Sequence, residues 1–242
     1  MVQRGVMLVV LGLSVGGAMA CGSGPNGSAG DAQAADRQYL LERVDEAAIV
    51  QLYADGFEAL PLDQKILIYH LYRAALAGRD IFYDQRYAHN LEMREVLEQI
   101  LTHADGVDPD TRAEIERYTK LFWVNTGPYN NLTARKFVLQ CTPEAFVAAA
   151  EAAAAANATF PLRNGETLDA MLARMAPLFF DASVDPSVTT KTPGQGEDIL
   201  VASANNLYVG VTMADLEGFT EQHALNSRLV KRDGQLVEEV YK

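Results

Sequence analysis

Few residues in this chain have the type and spacing for chemistry. There are four histidines, His70, His89, His103 and His223, and two cysteines, Cys21 and Cys141. A hydrolytic zinc centre needs three protein ligands and an open position for water. Its usual helical form places two histidines four apart with a glutamate between them. The chain contains no such HExxH. His89 and Glu92 stand three apart and would share one face of a helix, but helix-surface pairing explains that spacing as well. Cys141 has no histidine beside it in the sequence, so it reads as a buried small residue rather than a nucleophile. No phosphate loop occurs, and "GQG" at 194–196 lacks the lysine and helix that would follow. No catalytic and no metal-binding residue is assigned from spacing, and the substrate-binding residues stay unknown.

Composition bounds the function class. The chain has 242 residues, 49% of them hydrophobic and 21% charged, with a formal net charge of −12. That suits a globular protein with one large core or two modest ones. An acidic surface repels phosphate backbones, so nucleic acid is not an expected partner.

The N-terminus has its own character. Residues 1–20 combine Arg4, an apolar run from Val6 to Val15 and small residues, the pattern of a signal peptide. "AMAC" resembles a bacterial lipobox, which would make Cys21 the lipidation site and tie the protein to a lipid membrane. Residues 21–35 are small and polar, as a flexible tether would be. The expected address is export in a Gram-negative bacterium, as an outer-membrane lipoprotein or in the periplasm. With Cys21 lipidated, Cys141 would have no disulfide partner.

The elements that would carry a site are mostly helical. Apolar spacing predicts helices over 36–60, 65–77, 89–103, 109–121, 143–157 and 168–179. "KILIYHLYRAALA" is apolar on nearly every side, so burial over most of its surface is expected. Asp108-Pro109 and Thr142-Pro143-Glu144 are helix starts, with a capping side chain and proline at the first turn. "GRDIFYDQRY" reads as a loop. "FWVNTGPYNNLTARKF" reads as an aromatic, amide-rich loop, either lining a cleft or pinned to the core by Phe122 and Trp123. The stretch 199–208 fits helix or strand. Thr212 to Asp215 has capping-box spacing and predicts a helix after it. Asp233-Gly234 between two strand-like runs predicts a terminal hairpin. The fold class is mainly α with a small β portion, α+β.

Several blocks carry a resemblance. "KILIYHLYRAALAGRDIFYDQRYAHNLEMREVLEQI", "FWVNTGPYNN", "TPEAF", "FDASVDPSVTTKTPGQGEDILVASANNLY" and "GFTEQHALNSRLVKRDGQLVEEVYK" resemble the N-terminal part of bacterial dipeptidyl-peptidase III proteins, peptidase family M49. The resemblance implies a metallopeptidase, a hydrolase that removes dipeptides from peptide N-termini. It implies a two-lobed fold with zinc held by an HExxGH motif in a mainly helical lobe. That motif is absent here, so no catalytic position carries over, and zinc belongs to the full-length family and not to this chain. The expectation is a fragment, residues 36–242 being an incomplete N-terminal portion that is inactive alone. Its partners would be peptides and a missing C-terminal zinc lobe. The alternative is a non-catalytic peptide- or protein-binding outer-membrane lipoprotein.

Overall fold

The computed structural model describes residues 37–242. The expected signal peptide, the Cys21 lipidation site and the whole of the tether lie outside the described residues. The chain forms two compact units, divided between Ile68 and Tyr69.

The described part of the first unit opens with a hairpin where a helix was expected. β1 (Leu40–Val44) pairs antiparallel with β2 (Ala47–Val50), Val44 lying opposite Ala47. Asp45 turns the chain at φ 51°, in the left-handed region that interrupts a helix. The apolar spacing of 40–53 suits both structures. The β-branched Val44, Ile49 and Val50 favour the strand, and Val44 and Ile49 are the residues it buries. Helix α1 (Leu62–Ala77) follows and crosses the division between the units. Gly78, just after it, returns its amide to the Ala74 carbonyl.

The second unit is a helical core with a small sheet. The "GRDIFYDQRY" segment is helical, not a loop: α2 (Arg79–Arg86) buries Tyr83 and carries Asp80 in its first turn and Arg86 in its last, as the helix dipole favours. α3 (Asn90–Thr102) and α4 (Pro109–Asn125) fall where periodicity placed them, α4 running four residues past the expected Leu121. α5 (Pro143–Ala155) and α6 (Leu168–Phe180) complete the set. The core takes Met93, Val96, Leu97 and Ile100 from α3, and Ile115, Tyr118 and Phe122 from α4. α5 adds Phe146, Ala149, Ala150 and Ala153, and α6 adds Met171, Leu172, Met175 and Phe179. Each set recurs at three and four residues, so each helix turns one stripe inward.

Both helix starts read from Pro are capped as expected. The Asp108 carboxylate accepts the Thr111 amide at 2.9 Å, and the Thr142 hydroxyl accepts the Ala145 amide at 3.1 Å. The helix expected after Thr212 is one short 3-10 turn, Ala214–Leu216, because the chain turns out at Gly218 with φ 78°.

The sheet sits at the C-terminal end. β3 (Tyr208–Val209) pairs parallel with β4 (Ser227–Arg232), and β4 pairs antiparallel with β5 (Gln235–Val240). Asp233 and Gly234 both take positive φ, 48° and 78°, as a two-residue hairpin turn requires. The whole is a mixed α+β fold.

Candidate functional site

The four histidines stand on separate elements. His70 lies on α1 with its ring edge-on to Tyr69. His89 precedes α3, half-buried and edge-on to Tyr87. His103 follows α3 and shares a ring nitrogen with the Gln99 carbonyl at 3.0 Å. His223 is exposed before β4, where its backbone amide donates to Glu238 at 2.6 Å. Burial holds the His89 imidazole below its ordinary pKa, against a smaller opposing pull from Asp185 and Glu92.

Glu92 is committed elsewhere. Arg174 on α6 donates to both its oxygens, at 2.5 and 3.0 Å, and Arg163 adds a third contact at 3.3 Å. Glu166 receives the other edge of the same guanidinium at 2.7 and 3.0 Å. These bonds hold the Glu166 carboxyl down to about 2, chiefly through Arg174 and then the Arg163 amide. The His89–Glu92 pairing read from spacing is therefore not a ligand set, since the carboxylate is a strut between α3 and α6. Among the described residues no group of three or more His, Cys, Asp or Glu could hold a metal ion.

Cys141 lines a groove of about 360 Å³ with Glu114, Gln140 and Thr142. Burial pushes its thiol up to about 11, and Glu114 adds to the shift. A thiol so protonated is a poor nucleophile, and no histidine lines the groove.

The aromatic, amide-rich loop is self-contained. Tyr129 and Phe122 are fully buried, while Trp123 is 46% exposed and donates its ring NH to Glu98, so Phe122 pins the loop and Trp123 does not. Asn130 accepts the amides of Leu132 and Thr133, and Asn125 accepts that of Asn131. The amides hold the loop's own backbone instead of facing a ligand.

Two polar clusters had no signal in the sequence. Tyr87 donates to Asp185 at 2.7 Å, and Tyr129 donates to the Asp185 carbonyl at 2.9 Å. The Asp84 carboxylate on α2 accepts from Tyr241 and from the Asn206 amide, while Arg228 on β4 binds Glu239 at 2.8 Å. A cleft of about 290 Å³ opens beside Asn205, Asn206 and Tyr208. The contributing residues lie up to 157 positions apart, beyond any spacing argument.

No family model matches the chain, and no curated protein matches it.

Three features now correct the expectation of an M49 zinc metallopeptidase anchored as an outer-membrane lipoprotein. No family match supports M49 membership. The described donors do not fit zinc. No helix among the described residues is long and apolar enough to cross a membrane.

Among the α-helices of the described residues, α1 is the one that buries no side chain. None of its residues is buried. Leu62, Ile66, Leu67, Ile68, Tyr69, Leu71, Tyr72 and Leu76 are 41 to 72% exposed. At 100° per residue they spread around most of the axis, leaving only a narrow strip with Asp63 and His70 to turn to water.

Proposed function

We propose that this chain is a non-catalytic, protein-binding module, and that its work is to dock another polypeptide segment along α1. The observation that carries the reading is an apolar helix with no buried residue. A helix hydrophobic all round belongs inside a larger packing arrangement. Covering eight half-exposed apolar side chains is worth on the order of 1 kcal/mol each, enough to hold a partner segment firmly.

The test uses the purified chain. It should release no dipeptide from dipeptidyl-arylamide substrates, bind the apolar dye ANS and self-associate on size-exclusion chromatography. Leu67→Ser with Leu71→Ser should abolish dye binding and restore a monomer with little change in unfolding midpoint. A monomeric wild-type chain that ignores the dye overturns the docking reading and leaves a free-standing binding protein. Dipeptide release overturns the non-catalytic part.

A further inference from the structure

We infer that Arg86 is the receptor for a carboxylate group borne by a ligand. Arg86 closes α2 and is half-buried, and its guanidinium makes one hydrogen bond, from Nη2 to the Tyr129 carbonyl at 3.2 Å. Its Nε–H is buried and meets no acceptor. Among the described residues no carboxylate lies within ion-pair distance of it.

The other half-buried arginines are treated differently. Arg94 holds Asp80 at 2.9 Å, Arg117 holds Glu114 at 2.7 Å, Arg174 holds Glu92 at 2.5 Å and Arg228 holds Glu239 at 2.8 Å. In a chain with 32 acidic residues and 20 basic ones, an unpaired half-buried arginine does not follow from a shortage of acids. Burial pulls the Arg86 pKa down, against a smaller pull from the Tyr129 phenol and none from a carboxylate. Arginine cannot relieve the cost by losing its proton. A guanidinium taken partly out of water with no counter-charge is unfavourable by several kcal/mol, and an incoming carboxylate offsets that. The nearest acid along the chain, Asp84, is engaged by Tyr241 and Asn206. Asp185 takes the neighbouring Tyr87 hydroxyl. A planar, forked donor matches a carboxylate better than a spherical anion.

The probes are sodium acetate, sodium phosphate and sodium chloride at constant ionic strength, read by NMR at the arginine Nε–H resonances of the full chain. Loss of a peak in Arg86→Lys assigns the Arg86 signal without removing the positive charge. Acetate should move that signal to saturation, with a half-saturation concentration about threefold or more below those of phosphate and chloride. The Arg94 signal should stay still, and acetate should raise the unfolding midpoint of wild type and not of Arg86→Lys. A shift common to all arginines, or no saturation, overturns the receptor. Equal or tighter response to phosphate overturns the carboxylate assignment. A saturating shift of one wild-type Nε–H signal that prefers acetate stands even where Arg86→Lys fails to fold.

Discussion

Tyr241, the residue after β5, donates its phenol to the Asp84 carboxylate on α2. The terminal hairpin is thereby tied to the helical core. Asn206 adds a bond from its side-chain amide to Asp84 at 3.2 Å, and Gln85 reaches the Ser227 carbonyl at 3.0 Å. Burial and the nearby carboxylate hold the Tyr241 phenol above its ordinary pKa, so it remains a donor throughout the physiological range. Tyr241→Phe should lower stability by about 1–2 kcal/mol, the cost of a lost bond to a charged acceptor. Urea unfolding of the two proteins measures it. An equal loss in Asp84→Asn, with little further loss in the double variant, would show that the two residues act as a pair.

Glu166 should make stability depend on acid. Its folded pKa is depressed to about 2 by Arg174 first, against an ordinary glutamate value of 4.5 in the unfolded chain. The stabilisation is present above the unfolded pKa and is lost as pH falls through the folded one. Wild type should therefore exceed Glu166→Gln in unfolding midpoint near pH 6, and the gap should close between about pH 4.5 and pH 2. A gap constant across that window counts against the Glu166–Arg174 bond as its source.

Gly127 follows α4 at φ 130°, and a Cβ there would stand 2.5 Å from the Asn90 side-chain oxygen. That oxygen is buried with no hydrogen-bond partner, while the Asn90 amide holds the Tyr83 and Thr126 carbonyls at 2.9 and 3.0 Å. Alanine at 127 meets both a forbidden backbone region and a clash with a clamp that cannot yield. Gly127→Ala should cost about 2–3 kcal/mol, read as a lower midpoint in thermal or urea unfolding. Gly106 has a positive φ but open space around it, so Gly106→Ala should cost less and reports backbone strain without a clash.

What could be read in advance divides by range. Asp108, Thr142 and Asp233-Gly234 act on their own neighbours, and their caps and turn lie where the sequence placed them. The stretch 40–50 misled because its apolar spacing suits a helix, while one residue, Asp45, adopts the left-handed turn that makes it a hairpin. Thr212 misled in the other direction. It has capping spacing, and Asp215 does accept its amide at 2.9 Å, but Gly218 ends the turn at once. The candidate site was less legible still. Glu92 looks available beside His89 until Arg174, 82 residues on, is folded against it. Arg86 carries no mark in the sequence at all, since its distinction is the partner it lacks.

Thr142 offers the cleanest test of a local rule. Its hydroxyl accepts the Ala145 amide at 3.1 Å, Pro143 fills the first helical position and Glu144 faces the positive end of the dipole. The helix it opens is largely alanine, and beyond Phe146 it buries only the alanines at 149, 150 and 153 in the core. Less packing energy than usual supports this helix, so the cap should matter at the high end of its usual range. Thr142→Ala should cost about 1–2 kcal/mol, and Thr142→Ser almost nothing. Hydrogen exchange locates the effect: amides of the first turn of α5 should lose protection in Thr142→Ala while those of α3 keep theirs. Uniform loss across both helices would mean that the cap acts on global stability alone.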